Sequence, residues 1–260
     1  MKIALCFSGH FRIGKILFPN LKRAIINGHS PDIYIHLWDE KEILGSMPET
    51  KMIYRYTQKF IPMDQEEKDF IVSEYNPKYI EFADNKQFRE SLSDFGLTDE
   101  KLSTIKNFHP WNRDHRIVLS QYYSTFKVFE KALNSDVQYD LLIRNRFDNY
   151  FSRELSIDDL NAGIDSVAIP EGLDFFDGVN DRFAIGNPDT MRIYSTIFNH
   201  FYEYAITQQV PYHPERYLTM HLNNNNISIK RIPFLIDTAR EIINGKLSMH
   251  SQKCVTYDFK

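Results

Sequence analysis

Short apolar runs, each stopped by glycine or by charge, alternate with stretches of helical period along the first part of this chain. Lys2 to Phe7 is almost wholly apolar and ends at Ser8-Gly9-His10, which predicts a buried strand and a turn. Ile16, Leu17, Leu21, Ala24 and Ile25 recur at helical spacing, with Gly28 placed to cap that helix at its C-terminus. Asp32 to Trp38 (DIYIHLW) is a second strand, closing on Asp39-Glu40. Strand, glycine turn, helix and strand, in that order, open a mononucleotide-binding α/β fold.

Beyond Lys41 the periodicity weakens. A polar helix over Asp64 to Tyr75 stops before Asn76-Pro77, because the residue ahead of a proline avoids helical geometry. Lys78 to Phe82 is a third strand, and Asp84 to Asn107 predicts one or two short polar helices around Gly96, forming an exposed insertion. His109 to Arg113 marks a turn. Arg116 to Leu133 is the clearest helix, with Val118, Tyr122, Phe126, Phe129 and Leu133 as its apolar stripe and Ser120, Ser124, Lys127 and Lys131 on another face. Tyr139 to Ile143 and Ser166 to Pro170 follow as buried strands, and Arg182 to Ile185 as a short one. Pro188 to Phe198 restarts a helix, and an aromatic helical pattern continues to Gln209. His213-Pro214-Glu215 begins another, with proline in the first helical position and Leu218, His221 and Leu222 along one face. Ile227 to Ile232 is the last strand expected; the tail beyond it is unassigned.

Composition narrows the class. With 260 residues, 42% hydrophobic and 25% charged, the chain suits one large soluble α/β domain. A net charge of -4 leaves no electrostatic footprint for nucleic acid. Two cysteines, Cys6 and Cys254, make no disulfide framework and favour a reducing compartment. No apolar run is long enough to span a membrane, and the apolar start is interrupted too early for a signal peptide. The expected location is the cytoplasm.

The candidate chemistry lies where the central apolar run stops. Tyr139 to Ile143 leads directly into Arg144-Asn145-Arg146-Phe147-Asp148, and ligands of open α/β sheets bind beyond the carboxyl ends of strands. Strand alternation puts Arg144, Arg146 and Asp148 on one face, with Asn145 and Phe147 on the other. Two guanidiniums beside a carboxylate suit a diphosphate bridged by a divalent cation; the same residues also describe an ion pair at a strand end. Gly9 lets the backbone approach a ligand and Arg12 reaches for a phosphate, although the segment also reads as a plain tight turn. Neither G-x-G-x-x-G nor G-x-x-x-x-G-K-[ST] occurs, which disfavours a dinucleotide cofactor and a P-loop. The loop Asp174 to Asp181, dense in acids and aromatics, enters an apolar strand, a place to hold an acceptor hydroxyl or supply a general base. Glu215 also has an ordinary explanation, since acids favour helix N-termini.

Several of these pieces, in this order, resemble a nucleotide-sugar-dependent glycosyltransferase of GT-A type, in particular the small divergent transferases of bacterial surface-polysaccharide clusters and large algal viruses. They are Ser8-Gly9-His10-Phe11-Arg12, DIYIHLW, Gln121 to Leu133 before YDLLIRNRFD, Gly178 to Gly186 and His213-Pro214-Glu215. The resemblance implies one GT-A-like domain with a mostly parallel central sheet flanked by helices. Residues 1–150 would be its nucleotide-sugar-binding half and 151–260 its acceptor-binding half. It implies a nucleoside diphosphate sugar as donor and a glycan or glycoprotein as acceptor, in the host cytoplasm if the source is viral. Ser8, Gly9, Arg12, Gln121, Lys127, Arg144 and Arg146 would hold the donor. Asp181 would be the acceptor-side acid, with Asp177 and Glu215 as rivals. Asp148 would hold Mn²⁺ or Mg²⁺ against the diphosphate, with His213 and His250 as further ligands. The family's D-x-D is here R-x-R-x-D, with arginine at position 146, which puts the metal in question. A sugar-nucleotide nucleotidyltransferase and a non-catalytic nucleotide- or glycan-binding module remain the alternatives.

Overall fold

The computed structural model describes residues 1–44, 58–106, 114–233, 236–243 and 246–249. The turn expected at His109 to Arg113 and the candidate ligand His250 lie outside them. The strands are β1 Ile3–Gly9, β2 Asp32–Trp38, β3 Glu40–Leu44, β4 Gln58–Pro62, β5 Tyr79–Ala83 and β6 Leu141–Asn145. They continue as β7 Asn149–Phe151, β8 Ser166–Pro170, β9 Phe183–Gly186, β10 Ser228–Ile232, β11 Ile236–Ile243 and β12 Lys246–Met249. Among the described residues a seven-stranded sheet runs β10-β8-β9-β6-β1-β2-β5. All its pairings are parallel except those of β9, which runs antiparallel to β6 and β8. The expected α/β architecture, a mostly parallel sheet flanked by helices, is therefore observed, with strands from both halves of the chain.

The two faces of the sheet follow the period of two in the strands. Ala4 and Cys6 of β1, Tyr34 of β2 and Leu142 of β6 pack under the helix His115–Leu133. Ile3, Leu5 and Phe7, with Ile33, Ile35 and Ile143, face the helices Gly14–Leu21 and Gln65–Tyr75 on the other side. The long helix is itself covered by Pro188–Ser195 and Ile197–Tyr202, so it is a middle layer rather than a surface helix. That explains a difference from the sequence reading. Ser120 and Ser124, placed there on a polar face, are 1% and 0% exposed.

Three further expectations need correction. The segment after Asp84 does form short helices with Gly96 in left-handed geometry (φ 74°), but it is no exposed insertion. Phe88, Leu92, Leu97 and Leu102 are buried in the same core as Val118 and Tyr122. Their polar neighbours hid this stripe, in which Phe88 packs on Trp38, Tyr123 and Phe198. The first helix does not end on Gly28; it continues through a π turn, Lys22–Ile26, and the left-handed capping residue is Ser30 (φ 45°). The strand Ser228–Ile232 is not the last. β11 and β12 follow and join β7 in a small antiparallel sheet. β11 reads Ile-Asp-Thr-Ala-Arg-Glu-Ile-Ile, whose mixed polarity gives no clean alternation, and its partner β7 directly follows the Arg144–Asp148 cluster. Among the described residues no helix is long and apolar enough to cross a membrane.

Two histidines sit inside the layers. Burial pushes the pKa of His36 and of His221 down from 6.5 to about 4. A histidine whose folded pKa is lowered stabilises the fold fully above pH 6.5 and progressively less as the pH falls toward 4. Urea-unfolding stability is therefore expected to drop between pH 6.5 and 4, by at most about 1.4 kcal/mol per pH unit for each ring. His36→Asn, which keeps an N–H near the Nδ1 position but does not titrate, should flatten part of that slope. An unaltered slope would exclude His36 as its source.

Candidate active site

β1 lies between β2 and β6, so the chain runs outward from β1 in one direction and later returns to pair on its other side. The carboxyl ends of β1 and β6 thus flank a topological switch point, where open α/β sheets leave a crevice. A narrow cleft opens there, lined by Ser8, Gly9, His10, Arg12, Trp38, Ile117, Gln121, Arg144 and Arg146. Six of the seven expected donor-binding residues come together around it. The exception is Lys127, which pairs with Glu130 at 2.5 Å and is not in the lining. Six positions beyond Gln121 a helix has turned roughly 240° away, so the two side chains point apart.

The loop after β1 is shaped by one buried ring and two unusual backbone positions. Phe11 is fully buried against Tyr75 and Phe147, anchoring the loop in the core. Gly9 has φ 106°, which favours glycine, and Arg12 has φ 50°. A left-handed non-glycine residue costs about 1–3 kcal/mol and persists where surrounding contacts hold it. One contact that holds Arg12 is a 2.5 Å bond from its guanidinium to Asp148 Oδ2.

The long helix fixes the base of the same loop through two hydroxyls. Ser124 donates to the His36 carbonyl (3.0 Å) and accepts from the Gly9 N–H (2.9 Å). Its single hydrogen is thereby used, so the His36 Nδ1 at 2.9 Å must be the donor of that pair, which agrees with a neutral ring. One residue on, Thr125 donates to the Gln121 carbonyl and accepts from Ser8 Oγ at 3.0 Å. Ser8 Oγ then faces the cleft as an acceptor.

At the end of β6 the alternation rule holds only in part. The strand stops at Asn145 and the chain turns at Phe147-Asp148. Phe147 stacks on Phe7 in the opposite core, 4.8 Å between ring centres, while Arg144 and Arg146 line the cleft. Arg144, 2% exposed, donates to the Arg182 carbonyl at 2.8 Å. The turn returns the Asp148 carboxylate to Arg146, whose Nε donates to Oδ1 (2.9 Å) and whose second nitrogen donates to Oδ2 (2.7 Å). Asp148 is fully buried and its main-chain carbonyl accepts from Ala239 of β11.

This donor set does not fit Mn²⁺ or Mg²⁺. Both oxygens of Asp148 already accept from guanidiniums, and among the described residues no three His, Cys, Asp or Glu side chains form a group able to hold a metal ion. A cation beside Arg12 and Arg146 would also be repelled by about 4 kcal/mol per pair of unit charges at 4 Å and an effective dielectric of 20. His213 meets other partners. Its Nδ1 is 2.8 Å from Glu215 Oε2, and its ring packs on Phe176, centroids 4.3 Å apart.

The three candidate acids differ sharply in surroundings. Asp181, 6% exposed, accepts from Gln121 Nε2 at 2.5 Å on the cationic side of the site. Burial raises its pKa, but the charges of Arg182, Arg144 and Arg146 and the Gln121 bond outweigh that and hold it below the usual 3.8. A carboxylate so stabilised anchors arginines and is a weak base, which argues against the expected proton-accepting role. Asp177 is exposed, in left-handed geometry (φ 59°). Glu215 is buried, its Oε1 3.8 Å from Arg182, so its place reflects more than helix-end preference. A Cβ on Gly178 would stand 2.2 Å from the Glu215 carbonyl carbon, so this loop reaches the helix only because the residue is glycine.

Sequence reasoning missed His10, Trp38 and Ile117 in the lining, and His36, Ser124, Thr125, Asn145, Asn149 and Arg182 beneath it. The run DIYIHLW carried a signal, since a histidine within an apolar strand needs a buried partner. Nothing local distinguished Ser124 from a solvated serine.

A profile of a domain of unknown function (DUF7796) matches residues 124–244. No curated protein matches the chain. Among solved structures it is similar to a galactosyltransferase, LgtC, in complex with donor and acceptor sugar analogs. That likeness has 11% identity over 88% of this chain and 72% of the other, at TM-score 0.45. It is similar also to the apo form of the glycosyltransferase GlyE of Streptococcus pneumoniae TIGR4, with 13% identity, 88% of this chain covered and TM-score 0.44. The chain spans 45% of GlyE's length. Mouse xyloside xylosyltransferase 1, in its apo form, is similar at 9% identity over 89% of this chain and 84% of the other, with TM-score 0.42. Likenesses at this level transfer no residue roles.

Ser124→Ala should cost about 1–3 kcal/mol for each buried donor left without an acceptor, read by urea unfolding. A loss near zero would show that the hydroxyl holds neither Gly9 nor His36. Asp181→Asn should destabilise the fold at pH 7. Because the native pKa is lowered, the gap to wild type should close as the pH falls below 3.8. A gap that stays constant into acid would contradict the charge-based role.

Proposed function

We propose that this protein is a nucleotide-sugar-dependent glycosyltransferase, moving a sugar from a nucleoside diphosphate donor to a hydroxyl of a glycan or glycoprotein. The observation that carries the reading is the convergence of Arg12, Arg144 and Arg146 with the Ser8-Gly9 backbone at the switch point between β1 and β6. Among the described residues the guanidiniums of Arg12, Arg144 and Arg146 gather around this point, with the carboxylates of Asp148 and Asp181 bound beside them. Forked N–H donors match phosphate oxygens, and a glycine at the strand end admits the ligand close to the main chain. Beside this cleft, beyond β2 and β5, a second open space of about 730 Å³ is bordered by the rings of Phe60 and Phe82 and by Asp39, Glu40 and Asp84. Aromatic surface with carboxylate acceptors suits a base and a ribose, so a nucleotide would lie with its phosphates toward β6.

In transfer, the acceptor hydroxyl oxygen bonds to the anomeric carbon while that carbon's bond to the diphosphate breaks; the electron pair leaves with the nucleoside diphosphate, and the hydroxyl proton passes to the departing diphosphate or to solvent. Arginines fixed in advance around the departing oxygens stabilise the charge that develops there without reorganising. The loop Glu171 to Val179, where Leu173, Phe176 and Asp177 all have positive φ, leads to the buried Glu215–His213 pair and is the acceptor-side surface of this reading. Backbone strain gathered in one loop is common at functional sites.

Thermal unfolding against UDP, GDP, CDP and ADP and their sugars tests the proposal. One base series should raise Tm by mass action, and Arg144→Gln should lose most of that shift. Release of free sugar or its transfer to an oligosaccharide should accompany it. Absence of any shift across the panel would refute the donor site.

A further inference from the structure

Asp148 stands where the resemblance expects a metal ligand, and its surroundings assign it other work. Its carboxylate is the shared acceptor of Arg12, from the loop after β1, and of Arg146, from the end of β6. Arg146 approaches it as a fork, through Nε and a terminal nitrogen, a geometry that fixes the plane of the guanidinium. Both arginines are mostly buried, with side chains 15% and 11% exposed, yet each borders the cleft. The carboxylate itself has no exposed surface, so what the cleft presents is the two guanidiniums above it. Arg144 adds a third, steadied by the Arg182 carbonyl, which also accepts from the side chain of Asn149 at 3.0 Å.

We infer that Arg12 and Arg146, held in position by the buried Asp148, take the place of a divalent cation and bind the donor diphosphate without metal. The inference rests on the glycosyltransferase reading and sharpens it. Asp148 is then a positioning residue that never meets the ligand, and the leaving diphosphate is neutralised by side chains of this chain. The exchange of a D-x-D pattern for R-x-R-x-D follows from the same geometry. A cation bridge needs acids facing the ligand, whereas an arginine clamp needs an acid behind the arginines.

Calorimetric titration of the full chain with UDP, GDP, CDP and ADP, each in EDTA and in Mn²⁺, tests this, with the matching nucleoside as control. One nucleoside diphosphate should bind in EDTA within about threefold of its affinity in Mn²⁺. Arg146→Gln should weaken that diphosphate at least about tenfold while leaving the nucleoside unchanged. Asp148→Asn, should it fold, is expected to weaken the diphosphate equally in both buffers. Arg12→Gln, at a more exposed position, gives the same readout if Asp148→Asn does not fold. Binding that appears only with Mn²⁺ would overturn the metal-free clamp and leave the transferase reading intact. So would an Arg146→Gln variant that binds as wild type does. No binding of any nucleoside diphosphate in either buffer would overturn both.

Discussion

Asp148 ties together three parts of the chain, the loop after β1, the end of β6 and β11. Its oxygens hold the arginine of the loop after β1 and the arginine at the end of β6, while its carbonyl pairs with β11. A fully buried acid with no cation beside it would be costly, and removing one partner from such a pair typically costs about 3–5 kcal/mol. The arrangement is therefore all or nothing. If the loop, the strand end and β11 are in place, the acid is satisfied and two guanidiniums face the cleft; if one is displaced, the charge is stranded.

The surrounding fold makes that arrangement possible through layering. β1 sits at the middle of the sheet with its end at the switch point, and the long helix lies across it. Because that helix is covered on its outer side as well, its serine and threonine hydroxyls turn inward and meet the Ser8-Gly9 backbone. The Phe11 ring, buried between Phe147 and Tyr75, holds the same loop from the opposite face. The loop is thus gripped from both cores, and its polar groups are left at the rim.

A cationic centre and a separate acidic flank give the site its polarity. Asp181 belongs to the first, through Gln121 and the neighbouring arginines, and Glu215 with His213 to the second. Arg182 links them, its carbonyl steadying Arg144 and its guanidinium 3.8 Å from Glu215.

By itself the sequence determined the elements whose pattern is local. DIYIHLW, the helix ending at Tyr75 before Asn76-Pro77, and the helix through Leu133 stand where hydrophobic period and capping placed them, because those signals act within a few residues. It also marked the strand ends where Ser8, Gly9, Arg12, Arg144 and Arg146 converge, since a charged cluster after an apolar run is a local feature. Only the tertiary structure decided what those charges face. That Asp148 also meets Arg12, that Ser124 is buried against Gly9 and that β11 closes on β7 depend on contacts between residues far apart in the chain. Period and composition describe the polarity of a side chain; the partner that neutralises it is set by which strand ends and helix layers the fold brings alongside.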